Sequence, residues 1–120
     1  MLEHELLSET GVLIARPKGP LSAKDFSALA VDADAYIETH GALRGLMICA
    51  QEFPGWENIE GAISHFKFVR DHHSKIAKVA FVSDSDVLAL LPKLASHFVS
   101  AEVKHFKRDQ EAKALAWIAH

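Results

Sequence analysis

Leu46-Met47-Ile48-Cys49-Ala50 is an apolar run of strand length, and Ile76-Ala77-Lys78-Val79-Ala80-Phe81-Val82 is a second one, rich in β-formers. Between them Gln51-Glu52-Phe53-Pro54-Gly55 breaks the first run, and a helical pattern then covers residues 56–73. Two strands joined by a helix must lie parallel, because the crossover returns the chain to the edge where it began. This unit sets the expectation of an α/β fold, and the flanking sequence extends it in both directions.

Upstream, residues 2–7 and 12–16 form two short strands, with Ser8-Glu9-Thr10-Gly11 as the turn of a hairpin. Pro17-Lys18-Gly19-Pro20 stops the second strand. Ser22 caps the first helix with Asp25 three residues on, and Leu21 and Phe26 occupy the positions of a hydrophobic staple. Phe26, Leu29, Ala33, Tyr36 and Ile37 make one apolar stripe, and Gly41 suits the end of the helix. Gly45 is assigned, with Gly41, to a turn at the entrance of the next strand. Downstream, Ser83-Asp84-Ser85-Asp86 offers caps for a further helix with Val87, Leu90, Leu91, Leu94 and Phe98 on a wide apolar face. Pro92 should bend or split that helix. Residues 102–107 alternate like a half-exposed strand, and Asp109 caps a last helix with Leu115, Trp117 and Ile118. The order is β-β-α-β-α-β-α-β-α: a mostly parallel five-stranded sheet with an N-terminal antiparallel hairpin, in one domain over residues 1–120.

Composition narrows the function. Of 120 residues, 49% are hydrophobic and 24% charged, which suits a packed core and not a disordered chain. The net charge of −3 offers no basic footprint for nucleic acid. No apolar stretch reaches the roughly 20 residues of a transmembrane helix. Met1-Leu2-Glu3-His4-Glu5 is acidic where a secretion signal would be basic. Cys49 is the only cysteine, so no disulfide is expected, and its apolar run points to an inert buried thiol. A cytoplasmic protein is the expectation.

The motifs of catalysis and nucleotide binding are missing. There is no G-x-x-x-x-G-K-[ST], no G-x-G-x-x-G and no G-x-S-x-G. Eight histidines invite a metal, but His65, His72 and His73 lack the i, i+4 pairing of helical zinc sites, and seven residues of helix span about 10 Å. No metal, cofactor or catalytic residue is expected. Two places stand out instead. On the helix over residues 56–73, Ile59, Ala62, Ile63, Phe66 and Val69 are assigned to the core, which leaves Phe68 outside with His65 and His72 beside it. That face would meet a second subunit or a membrane. Phe53-Pro54-Gly55-Trp56 follows the carboxyl end of a parallel strand, the edge where open α/β sheets bind ligands.

These pieces together resemble the SpoIIAA-like proteins, small domains grouped with STAS domains and often with Sec14-type lipid-binding domains. The residues that carry the resemblance are Gly19-Pro20-Leu21-Ser22-Ala23-Lys24-Asp25-Phe26, Phe53-Pro54-Gly55-Trp56, Lys67-Phe68 and Lys78-Val79-Ala80 with Ser83-Asp84. Ala101-Glu102-Val103-Lys104-His105-Phe106 and Ala116-Trp117-Ile118 complete it, so it spans nearly the whole length. The resemblance implies a hairpin followed by β-α units and no established enzyme activity. In STAS relatives a serine at the start of the helix after the third strand is phosphorylated. Here that start reads Gly55-Trp56-Glu57-Asn58, and the first serine is Ser64, two turns in. The phosphoserine switch is therefore not expected. The Sec14 side implies a lipid or other apolar ligand beneath a mobile helix.

Two functional expectations follow. The leading one is a non-catalytic module that holds a small apolar or lipid-like molecule against Trp56, Leu90, Leu91, Leu94 and Phe98. The alternative is a self-associating, homodimeric interaction module that uses His65, Phe68 and His72.

Overall fold

In the computed structural model, which describes residues 1–51, 54–84 and 101–120, strands β1 (Leu2–Leu7) and β2 (Val12–Pro17) form the opening hairpin. Helix α1 (Ala23–His40) follows, then β3 (Leu43–Cys49), α2 (Ile59–His72), β4 (Ile76–Val82), β5 (Glu102–Phe106) and α3 (Glu111–Ala119). The expected helix over 87–98, with Leu90, Leu91, Pro92, Leu94 and Phe98, lies outside the described residues, as does Phe53.

The sheet runs β1-β2-β3-β4-β5 in chain order, with β1 antiparallel to β2 and the other pairs parallel. This is the expected mostly parallel sheet with its hairpin. Strand order never reverses, so crossovers of one hand place their helices on one face. Accordingly α1 and α2 pack together on that face, over Leu13, Ala15, Leu46 and Val79. The other face is covered by α3, whose Ala114 and Ile118 meet Val12, Ile14, Met47 and Ala80. Alternate residues of β2, β3 and β4 are thus buried on opposite faces, as a parallel sheet covered on both sides requires.

Local chemistry explains most boundaries. Ser22 Oγ accepts the Asp25 N–H at 3.2 Å, and Asp25 Oδ2 accepts the Ser22 N–H at 2.9 Å, a capping box closed with aspartate. At the far end Gly41 takes φ 89°, a region costly for a side chain, and donates its N–H to the Ile37 carbonyl at 2.7 Å. Strand β3 starts earlier than residue 46, because Leu43 pairs with Ile76 and the Arg44 N–H bonds the Gly11 carbonyl. Gly45 therefore lies inside the strand and not in a turn. Helix α2 starts later than residue 56, because Asn58 Oδ1 accepts the Gly61 N–H at 3.0 Å and caps it there. Asp109 does not cap the last helix. It sits within a 3-10 turn, Arg108–Gln110, and Gln110 Oε1 takes the Lys107 N–H instead. Arg44 and Lys78 reach from the sheet to the Ala119 and Trp117 carbonyls, meeting the negative end of α3.

Candidate functional site

Val69 is buried as expected, but the rest of α2 largely reverses the sequence expectation. Phe68 is buried, at 6% exposure, and so is His72, while Ile59, Ile63 and Phe66 stand 71%, 59% and 55% exposed. The sequence holds two rows of identical spacing, Ile59-Ile63-Phe66-Arg70 and Gly61-His65-Phe68-His72. They are offset by two residues, hence by about 200° around the helix. Hydrophobicity favoured the first row as core, but contacts with α1 select the second. A Cβ on Gly61 would stand 2.5 Å from the Leu21 carbonyl oxygen, so only glycine lets the helix approach there. His65 stacks on Phe26 with ring centres 4.9 Å apart, and Phe68 packs against Phe26 at 6.3 Å. His72 Nδ1 lies 2.7 Å from the Phe68 carbonyl oxygen and Nε2 lies 2.7 Å from Asp34 Oδ1 on α1. These two contacts fasten the ring between its own helix and α1.

Phe68 and His72 are therefore buried in the packing of α2 on α1 and offer no outer contact face, while the half-buried His65 stacks on Phe26 of α1 and accepts the Trp56 indole N–H. The outer face belongs to Ile59, Ile63 and Phe66, with Trp56 beside them. Trp56 lies just before α2, in a bridge with Leu21 held by bonds from the Leu21 N–H to the Gly55 carbonyl and from the Glu57 N–H to the Leu21 carbonyl. Its indole N–H donates to His65 Nδ1 at 3.1 Å, and its ring lies 6.0 Å from that of Phe66. It is 38% exposed. Four large apolar side chains thus crowd one helical surface, more than the single exposed aromatics that folded proteins ordinarily show. Leu90, Leu91, Leu94 and Phe98, the other expected ligand contacts, fall outside the described residues.

A second feature lies at the carboxyl edge of the parallel strands. An open cleft of about 200 Å³ is lined by Arg16, Lys18, Cys49, Gln51, Arg108 and Glu111, among others. Arg16 bridges to Glu111 with both terminal nitrogens, at 3.2 and 2.8 Å. That hydrogen-bonded guanidinium holds the Glu111 carboxyl below the ordinary glutamate range. Burial, aided by the Glu111 charge, pushes the Cys49 thiol up to about 11, so the sulfur stays protonated and unreactive at neutral pH. Sequence reasoning missed this cleft because Arg16 and Glu111 are 95 residues apart. Among the described residues no three His, Cys, Asp or Glu side chains are arranged to hold a metal ion, and no helix is long and apolar enough to cross a membrane.

The Arg16–Glu111 pair makes a pH prediction. A carboxyl whose folded-state pKa is depressed adds stability above its unfolded pKa, and that contribution disappears as pH falls through the folded value. Both side chains are about a third exposed, so solvent screening limits the contribution to below about 1 kcal/mol. Glu111→Gln should therefore cost a few tenths of a kcal/mol near neutral pH. It should cost nothing once pH is well below about 4. Urea unfolding of both proteins across this range checks it, and an equal cost at every pH would assign the loss to packing instead.

The comparisons agree with this architecture. No curated protein matches the chain. A crystal structure of an uncharacterized protein with a SpoIIAA-like fold from Shewanella loihica PV-4 superposes with a TM-score of 0.70, covering 98% of this chain and 92% of the other at 19% identity. At that identity the likeness concerns the fold. The sequence profile of the SpoIIAA-like family matches residues 12–119, from the second strand to the end of the last helix, and the chain belongs to that family.

Proposed function

We propose that the protein is a non-catalytic binding module that holds a small apolar or amphipathic molecule on the outer face of α2. The observation that carries the reading is the exposure of Ile59, Ile63 and Phe66 beside Trp56. A flat ring at one end and aliphatic side chains along one helix suit an acyl chain or a fused-ring hydrocarbon better than a polar metabolite.

The test is native mass spectrometry of the purified protein before and after denaturation, joined to a dodecanoate titration followed by Trp56 fluorescence in a Trp117→Phe background. We expect extra mass that leaves on denaturation, or a saturable fluorescence change. Ile63→Asp should weaken binding at least about tenfold, which corresponds to about 1.4 kcal/mol. A clean mass together with no saturable response would overturn the reading. The same row also suits a second copy of the chain, since a stripe of exposed apolar residues on one helix is self-complementary about a two-fold axis. A clean, dimeric protein that Ile63→Asp converts to monomer would establish that alternative, through Ile63 and not Phe68.

A further inference from the structure

The cleft at the carboxyl edge of the sheet has the make-up of an anion site, and it is independent of the apolar face of α2. Three cationic side chains, Arg16, Lys18 and Arg108, line it against one carboxylate, Glu111. They come from the end of β2, the segment after it, and the turn before α3, so folding alone brings them together. Among the described residues Lys18 and Arg108 make no ion pair, so neither cation at the rim is held by a contacting carboxylate, while Arg16 is committed to Glu111.

The rim is held in shape by a chain of bonds. Gln51 Oε1 accepts the Asp84 N–H at 3.3 Å, and Asp84 Oδ1 accepts the Arg108 N–H at 2.8 Å. With its oxygen turned to Asp84, the Gln51 amide keeps its NH₂ as the remaining donor. On the opposite wall the bidentate Arg16–Glu111 pair holds the guanidinium plane. Cys49 stays a neutral thiol and puts no negative charge into the cleft. The strand ends that form the floor, Ala50 and Val82, are joined by the Ala50 N–H to the Val82 carbonyl.

We propose that this cleft binds a small phosphate dianion, either inorganic phosphate or a phosphomonoester, between Lys18 and Arg108 with Gln51 as a neutral donor. About 200 Å³ holds a phosphate group with a short organic remainder and is below the size of a dinucleotide site. Glu111 opposes the anion: it occupies the Arg16 guanidinium and is the one carboxylate that lines the cleft, with the Asp84 carboxylate bonded at the rim.

The test is a titration with inorganic phosphate and then glycerol 3-phosphate at fixed ionic strength, followed by backbone amide shifts. Saturable shifts are expected near Arg16–Lys18, Cys49–Gln51 and Arg108–Glu111. Lys18→Ala and Arg108→Ala should each weaken binding about tenfold or more, whereas Glu111→Gln, which frees Arg16, should tighten it several-fold. Saturation at one phosphate per protein, with shifts confined to those residues, separates a built site from general charge attraction. Sedimentation with phosphatidic-acid vesicles distinguishes the sources: binding to vesicles but not to glycerol 3-phosphate would assign the site to a lipid headgroup. No saturable shift with either soluble phosphate and no vesicle binding would overturn the proposal, as would binding that the three variants leave unchanged.

Discussion

Gly45→Ala should lower the stability of the protein by about 1–3 kcal/mol or more, although alanine suits a strand better than glycine does. Gly45 lies within β3, opposite Val12 on one side and Lys78 on the other, with α3 directly above. A Cβ built there would stand 2.9 Å from the Lys78 carbonyl oxygen and inside the side chain of Ile118. Lys78 is in the neighbouring strand, and its oxygen cannot withdraw without disturbing the β3–β4 ladder. Ile118, only 1% exposed, cannot swing aside without leaving the core. A glycine in the middle of a strand often marks such a close approach.

Urea midpoints of four proteins decide the matter: wild type, Gly45→Ala, Ile118→Ala and the double variant. Ile118→Ala alone should cost about 2–5 kcal/mol for the cavity it opens. If the two side chains compete for one space, the double variant will cost less than the two single costs combined, by at least about 0.5 kcal/mol. Additive costs would mean that Lys78 alone opposes the methyl. A neutral Gly45→Ala would mean that α3 does not sit where the structure puts it.

The second large effect contrasts two phenylalanines two residues apart. Phe68→Ala should cost about 3–5 kcal/mol, whereas Phe66→Ala should cost about 0.5 kcal/mol or less. Phe68 is buried between α1 and α2, against Phe26 and stacked on His72 at 4.2 Å, so its removal empties the helix interface. Phe66 contacts Trp56 and His65 at the surface and leaves no internal void when truncated. Thermal or urea unfolding of the two variants reads this directly. Comparable losses would fault the face assignment of α2 and, with it, the apolar surface on which the proposed function stands. The expected pattern also separates roles: Phe66→Ala should change ligand binding in a protein that remains as stable as wild type.

Much of the fold was legible without coordinates, because its strongest signals are local. Ser22 and Asp25 close their capping box within four residues. The stripe of Phe26, Leu29 and Ala33 needs only helical periodicity. Leu2–Leu7 and Ile76–Val82 agree with the strands expected from their β-formers and the turns that bound them. The alternation of strands and helices then leaves little choice but parallel pairing, and right-handed crossovers limit the order.

What the sequence by itself determined, then, is the order of elements, the parallel sheet and the family resemblance, since each depends on nearest neighbours or on short repeats. The tertiary structure alone decided which side of α2 is inside. Its two rows of side chains have the same spacing, and periodicity cannot rank them when steric fit and hydrogen bonding override hydrophobicity. Gly61 against the Leu21 carbonyl and His72 against Asp34 settle the choice, and neither contact is visible until α2 is brought against α1 and the segment before it. The cationic cleft has the same origin. Arg16, Gln51 and Arg108 are ordinary surface residues along the chain, and they become a site only because parallel strands end at one edge and α3 begins beside them.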